Sequence, residues 1–432
     1  MRVPNTTPDV VVIGAGAIGL ASAAELARRG ATVTILDRGP GPGAGCSSGS
    51  AGIVGPSHVL PLASPEALHD GLRWLLRRGS PFSLNSPLAA LPWLARFAWA
   101  ARTARYRSSA AVLQSLAGES FELHRKLAAK AATGFQQTGF LCVYETARAF
   151  DVARAHLDGQ TGQDGPVTTI TADRARELCP QLTGPIAGAI LGRDDAFCDP
   201  GLFLRANEEV AAKYDARIRY GVEVLGLVRR GRRVMRLQTT AGELAVEQIV
   251  VAAGAWSRIA TELPPRATIQ GGKGYHVEFS SGEVSLPLPV YFDERRIVAT
   301  PFEQRLRVSG MLQLAGTSLD VDRLRVATIE RQARELLPSA AAGPVRQVWR
   351  GLRPCTPDGL PIVGRAPSVD NAILATGHGM WGLQLAPVTG RIVADIVAGM
   401  PVDDRIAALS PTRFEPLRSS RSAVLGRPIN GR

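Results

Sequence analysis

The stretch Asp9–Arg38, DVVVIGAGAIGLASAAELARRGATVTILDR, constrains the fold more than any other part of the chain. It sets out strand, glycine turn, helix, second strand and acidic residue in the order of a β-α-β dinucleotide-binding unit. Val10–Ile13 is an apolar run suited to a strand buried on both faces. Gly14, Gly16 and Gly19 follow it in GxGxxG spacing. The first glycine permits the tight turn, the second lets backbone approach a pyrophosphate, and the third lets the helix pack on the sheet. The helix is expected from Ala17 to Arg29, with Ile18 in its first turn among the cofactor contacts and Gly30 as its stop. Its N-terminal N–H groups and positive dipole end face the phosphates. Thr32–Leu36 supplies the second strand. Asp37 then lies where a carboxylate accepts hydrogen bonds from an adenosine ribose, with Arg38 beside it. The unit leaves FAD and NAD both open, while the aspartate argues against a 2′-phosphate and hence against NADP.

Length and charge narrow the class. At 432 residues, 45% apolar and 20% charged, the chain should form two or three domain-sized lobes of ordinary soluble character. The net charge of +12 comes almost wholly from arginine. It fits an anionic substrate, an anionic membrane surface or nucleic acid. No zinc-finger, RRM-like or basic-helix pattern favours nucleic acid, and none is expected as a partner. The five cysteines, Cys46, Cys142, Cys179, Cys198 and Cys355, never occur in CxxC spacing. That argues for a reducing compartment and against a metal site or disulfide framework. The N-terminus enters the first strand too early for a secretory signal, and no apolar run reaches the length of a membrane span, so a cytoplasmic protein is expected.

Further along, Gly39–Pro56 is a loop of small residues that can wrap a ligand. It contains GxSxG at Gly45–Gly49, but a nucleophile elbow needs its own strand-to-helix turn, so Ser47 is read as a hydrogen-bond donor to phosphate or flavin. Glu66–Arg78 and Leu88–Arg107 combine tryptophan and arginine as helices that either lie in a membrane interface or pack on the core. A helical pattern at Leu113–Thr133, a strand at Gly139–Tyr144, and helices at Thr171–Leu178 and Phe203–Lys213 follow. Strands are expected at Ile218–Tyr220, Val222–Arg229 (with Val224 a cofactor contact), Val234–Thr239 and Gly242–Val246. Gln248–Ala252 reads as another buried strand, after which Gly254 can approach the same nucleotide. Ile269–Phe279, Arg296–Thr300 and Leu306–Leu314 alternate as an antiparallel sheet would, indicating a second, substrate-bearing domain. The tail Thr412–Arg432, with five arginines against one glutamate, reads as disordered or surface-attached.

Two late segments, VWRGLRPCTPDGLPIVGR (Val348–Arg365) and TGHGMWGLQLAPVTGRIVADIVA (Thr376–Ala398), together with the N-terminal unit and Lys273-Gly274-Tyr275, carry a resemblance. From about Val10 to Gly399 the chain resembles a D-amino acid dehydrogenase of the flavin-dependent family that includes glycine oxidase, sarcosine oxidase and D-amino acid oxidase. The resemblance implies FAD as cofactor and Arg353, of GLRP, as the clamp on the substrate carboxylate, which suits a guanidinium fork. It implies that the Thr356–Gly359 turn and Gly364 bring backbone up to the flavin, and that Gly377, His378 and Gly379 lie at the start of the last helix. Tyr275 would help close the pocket, and His378 would serve as base or, preferably, as a positioning residue.

The implied reaction is oxidative deamination by hydride transfer from Cα to flavin N5, the imino product hydrolysing to a 2-oxo acid and ammonia. Electrons would pass to a quinone or other membrane carrier, with peripheral contact at the inner membrane face. Sarcosine oxidases attach FAD through a cysteine two positions before the arginine; Gly351 stands there, so non-covalent FAD is expected. The early loop reads CSSGSAG where dehydrogenase-type sequences read TSxANAG, placing Ser50 in the asparagine's position. Met380 and Trp381 are bulkier than the Thr-Leu common after GHG, pointing to a differently shaped pocket and a small or cyclic substrate such as a D-proline. The alternatives are a glycine- or sarcosine-oxidase-like enzyme using oxygen, and a non-catalytic flavin-binding subunit of an amine dehydrogenase complex.

The expected class is α/β: a discontinuous Rossmann-like FAD-binding domain (8–57, 168–266, 351–402), an α+β substrate and membrane-facing domain (58–167, 267–350) and a basic tail (403–432).

Overall fold

The computed structural model describes residues 7–74, 80–85, 87–157, 165–258, 262–263, 268–280, 284–401 and 403–414. Two sheets organise them. The nucleotide sheet runs in the order Ile362–Arg365, Ala372–Thr376, Gln248–Val251, Val10–Ile13, Val33–Asp37, Arg217–Tyr220. Its pairs are parallel except for the Ile362–Arg365 edge. Because successive side chains alternate faces, Val10 and Val12 meet the helices Ala17–Arg28, Pro200–Lys213 and Gly382–Val397, while Val11 and Ile13 meet Val224, Val234 and Leu237 of a three-stranded meander. Both faces are covered, which explains why the central strands are apolar throughout.

The substrate sheet is mostly antiparallel, in the order Val345–Cys355, Gln270–Ser280, Arg305–Leu314, Ile297–Phe302, Val290–Phe292, Phe140–Tyr144, Gly188–Gly192, Val167–Ile170, with Phe82–Leu84 paired beside Leu312–Leu314. One face, carrying Tyr275, Val277, Val308, Ala299 and Leu141, is packed with Ile329 and Ala333 of the helix Arg323–Leu336. On the opposite face the register links Trp349, His276, Ser309, Val298, Tyr291, Cys142 and Ile190 in a row across six strand pairings. That face opens on a cavity of about 1960 Å³.

Several boundaries differ from the sequence reading. Val167–Ile170 and Gly188–Gly192, expected within the FAD-binding half, hydrogen-bond into the substrate sheet. The pattern expected as one helix over Leu88–Arg107 is two: Pro87–Ala100 ends, and Thr103–Ala128 starts a new 26-residue helix that absorbs the next pattern. The helix expected over Glu66–Arg78 is described as Pro65–Trp74, its remainder lying outside the described residues. Residues 403–414 are not a tail. Ile406 and Leu409 enter the nucleotide-domain core, and Arg413 pairs with Asp358 at 2.8 Å. The rest of the expected tail, 415–432, lies outside the described residues.

Candidate functional site: a dinucleotide cradle joined to an arginine-floored cavity

At the nucleotide end, close packing dictates two glycines. A Cβ at Gly19 would lie 1.8 Å from the Gly14 carbonyl oxygen, and Gly14 itself has φ +111° with the Ala252 carbonyl 2.6 Å from its Cβ position. The helix Ala17–Arg28 starts from Gly16, which has no side chain to cap it, and carries no acidic residue in its first turn, leaving its positive end for an anion. The Ala17 N–H donates to Ser47 Oγ at 3.0 Å, so Ser47 sits at that helix end. Asp37 accepts from the N–H groups of Ala15 and Gly39, both at 2.6 Å, which fixes the carboxylate at the strand end. Arg38 lies 4.4 Å over the Trp256 ring and 3.4 Å from Glu223. Gly254 has φ +54° and open space at its Cβ position, with its carbonyl held by Ser257 and Thr376. Ile18 is half-buried. Val224 is a core residue of the meander, near where the Val222 N–H joins the Asp37 carbonyl.

The small-residue loop connects this cradle to the substrate sheet. Buried Arg307 donates to the carbonyls of Ser48 and Ser50 and pairs with Glu278 at 2.7 Å, while His276 bonds the Gly49 carbonyl at 3.2 Å. Trp349 lies stacked on His276 and fills the space a Cβ would take at Gly49 and at Gly351. The sequence reading overlooked Arg307 and Trp349. The signal was present: a charge inside an apolar strand run, and Trp349-x-Gly351-x-Arg353 on one face at a period of two.

Arg353 lies on that same face. Its guanidinium occupies the position a side chain at Gly274 would need, 2.4 Å from the ideal Cβ, and Nη1 donates to the Met311 carbonyl at 2.8 Å. Met311 presents that carbonyl from a bulge, with φ +66° at a register shift in the strand pair. Burial pushes the guanidinium's pKa down. Among the described residues no carboxylate pairs with it, so the cost of burying the charge is left for an anion from outside the chain to offset.

Three expected site residues fall elsewhere. Tyr275 is one position out of phase with Gly274, so its side chain points to the far face, where its hydroxyl donates to Gln313 at 3.0 Å under the Arg323–Leu336 helix. It does not line the cavity. His378 is buried; its Nε2 meets Thr389 Oγ1 at 3.0 Å and burial lowers its pKa to about 3, so it is neutral and turned into the last helix rather than toward the cavity. In this arrangement it packs against the last helix. Gly364 abuts Pro411, on the edge strand, instead of approaching the cavity. Gly377 has φ +76° and packs on Thr356, whereas Gly379, Met380 and Trp381 line the cavity, with Trp381 fixed by its Nε1 donating to the Leu60 carbonyl at 2.8 Å.

The residues fit a flavin dinucleotide. The uncapped helix, Asp37 and the pinned loop form a continuous cradle, and the last helix begins beside the cavity with no side-chain cap. There Gln384, 1% exposed and lining the cavity, leaves both its amide oxygen and its nitrogen without a protein partner, as expected of groups that meet a polar ligand. Among the described residues no group of three or more His, Cys, Asp or Glu side chains is arranged to hold a metal ion, and no helix is long and apolar enough to cross a membrane.

Known proteins resemble the chain in sequence and in fold. The chain matches the family described as DAO, FAD dependent oxidoreductase, over residues 9–396. It is 35% identical to D-amino acid dehydrogenase 2 of Ralstonia nicotianae over 424 residues, covering 90% of this chain and 96% of that protein. Its fold is similar to glycine oxidase from Geobacillus kaustophilus, with a TM-score of 0.76 and 26% identity over 94% of this chain and 99% of that one. L-proline dehydrogenase from P. horikoshii shares the fold at a TM-score of 0.72, with 19% identity over 95% of this chain and 98% of that one. A cradle, an anion-seeking arginine and a matching sequence thus converge, and the chain belongs to the DAO family of FAD-dependent oxidoreductases.

Proposed function

We propose that this FAD-dependent enzyme oxidises the Cα–N bond of a D-amino acid, a D-proline-type imino acid included. The observation that carries the reading is Arg353: a half-buried guanidinium on the cavity floor, braced by Met311 and paired with no carboxylate of the described chain. A substrate carboxylate completes it with charge-assisted hydrogen bonds that a neutral amine cannot supply. The similarity to a D-amino acid dehydrogenase supports the substrate class.

FAD in the cradle supplies the two-electron acceptor for the Cα–H bond. The chain's own contribution is positional. Arg353 fixes the carboxylate, the Gly274 gap fixes Arg353, and the apolar lining contributed by Leu312, Val298 and Trp381 limits water at the reacting carbon. Met380 and Trp381 line the same cavity, and their bulk favours a compact or cyclic side chain. The imino product leaves and hydrolyses in water. Membrane-bound acceptors and peripheral contact with an anionic bilayer belong to the same proposal. A glycine-oxidase-like use of oxygen is the second reading, favoured by the structural likeness to glycine oxidase.

The test is anaerobic mixing of the flavin-loaded protein with D-amino acids, D-prolines, glycine and sarcosine while flavin absorbance is followed. Bleaching by D-amino acids or D-prolines supports the proposal; bleaching by glycine or sarcosine alone moves the reading to the oxidase, and bleaching by none of the panel rejects both. Admitting air or a quinone then names the acceptor. Since Gly351 stands at the attachment position and Cys355 is buried behind Gly272, acid precipitation should release all the flavin into the supernatant.

A further inference from the structure

A thiol, an imidazole and a carboxylate meet in the cavity wall away from Arg353, and the functional reading does not use them. Cys142 lies on the cavity face of the substrate sheet, between Tyr291 and Ile190 in the row described above, and lines the cavity. His58 follows the small-residue loop, lines the cavity too, packs edge-on at 4.5 Å against Phe140, which clusters with Cys142 on the same strand, and interacts electrostatically with the Cys142 side chain. Its Nδ1 is 2.8 Å from Asp195 Oδ2 and 2.6 Å from Ser57 Oγ. Asp195 is 2% exposed. The space for its carboxylate exists because Gly55 and Gly192 flank it: a Cβ on either would come within 2.6 and 2.2 Å of its atoms. A buried carboxylate needs a cationic or hydrogen-bonding partner, and His58 with Ser57 supplies it.

We propose that Cys142, His58 and Asp195 form a second reactive site: a nucleophilic cysteine in the cavity wall that takes small soft electrophiles, including hydrogen peroxide, and whose modification obstructs the cavity. Asp195 orients the ring and stabilises its protonated form, and the imidazole in turn supports the sulfur as it attacks. Burial works against a charge on His58, but the Cys142 and Asp195 side chains outweigh it and push the His58 pKa up to about 10. Burial raises the pKa of Cys179, Cys198 and Cys355, to about 11 for Cys179 and about 12 for Cys355, and also raises that of Cys46. With a haloacetamide, the sulfur displaces halide from the α-carbon and forms a thioether. With peroxide, the sulfur attacks one oxygen, the O–O bond breaks, the departing hydroxide takes a proton from His58, and the sulfur is oxidised by two electrons to a sulfenic acid.

The experiment is limited alkylation of the native, flavin-loaded protein with iodoacetamide, followed by peptide mass mapping and residual activity. Cys142 should be labelled about tenfold or more faster than Cys46, the other thiol lining the cavity, and activity should fall with that labelling. His58→Gln should slow Cys142 labelling by about the same factor with flavin content unchanged. Cys142→Ser should make activity resistant to both iodoacetamide and peroxide. Faster labelling of Cys46, or a Cys142 rate indifferent to His58→Gln in a protein that still holds flavin, overturns the proposal. If the His58 variant does not fold, the wild-type ratio of Cys142 to Cys46 labelling decides it.

Discussion

At the residue scale, Arg353 and three buried histidines carry opposite electrostatic problems. Arg353 keeps its charge although burial disfavours it, and one of its nitrogens is already committed to Met311. Lysine, a point charge without the planar fork, cannot hold that carbonyl and a carboxylate together. Arg353→Lys and Arg353→Ala should each lower kcat/KM by about 10²–10³, mainly through KM, while the protein stays yellow. Steady-state kinetics beside the flavin spectrum checks this; an unchanged KM would remove Arg353 from the substrate site. His124, His276 and His378 solve the problem by remaining neutral. Burial lowers them to about 4, about 3 and about 3, with the Arg307 cation adding to the effect at His276. An unfolded histidine titrates near its ordinary value, so below pH ~6.5 the unfolded chain binds more protons than the folded one. Their contribution is therefore intact above that pH and lost as pH falls toward 4, at up to roughly 1.4 kcal/mol per pH unit for each histidine. Urea titrations across this range should show it. His124→Gln, which can still donate to the Gln384 carbonyl, should reduce the slope by one proton, and an unaltered slope would mean that His124 is not buried neutral.

At the element scale, the strands Gln270–Ser280 and Val345–Cys355 build the site through their shared parity. Gly272, Gly274 and His276 face the same way as Arg353, Gly351 and Trp349, and the missing side chain at Gly274 is the seat of the guanidinium. Gly274→Ala should tilt Arg353 off its seat and raise KM about tenfold or more, with little change in flavin content or melting temperature, because the Cβ meets a side chain rather than backbone. Kinetics and a thermal melt separate this from general destabilisation; an unchanged KM would show that Arg353 relocates freely. Parity also marks what was legible in the sequence. The β-α-β unit was readable because its strand, glycines and acidic residue are contiguous, and Arg353 because a guanidinium fork suits a carboxylate and the GLRP resemblance singled it out. Tyr275 was misplaced because motif proximity ignores which face a side chain takes, and one step along a strand reverses it. His58 with Asp195, and Gln384 beside the cavity, depend on contacts between segments far apart in the chain, which no local pattern encodes.

At the scale of the whole molecule, the cavity lies between the substrate sheet, the small-residue loop and the start of the last helix, while the helix Pro87–Ala100, apolar but for Arg96, closes one side. Trp93 and Phe97 pack inward with Ala63 and Leu314, whereas Leu88, Leu91 and Trp99 are 83%, 55% and 50% exposed. The sequence posed a membrane-facing helix against a core-packed one, and the described residues give it a core-packed face and an exposed apolar one. Arg105 stands 3.3 Å over the Trp99 ring, so the aromatic edge carries a cation suited to lipid headgroups. With a chain charge of +12, contact with an anionic bilayer adds about 1 kcal/mol for each arginine brought near the surface, and burial of Leu88 and Trp99 adds a few more. The protein should therefore sediment with vesicles containing phosphatidylserine or phosphatidylglycerol, release at high salt, and bind neutral vesicles weakly. Leu88 and Trp99 do not line the cavity, so Leu88→Glu with Trp99→Glu should abolish sedimentation while leaving turnover with a soluble acceptor unchanged. Failure of the wild-type chain to bind anionic vesicles would assign this face to a protein partner instead. Binding that survives the double substitution would place the membrane contact on another part of the basic surface.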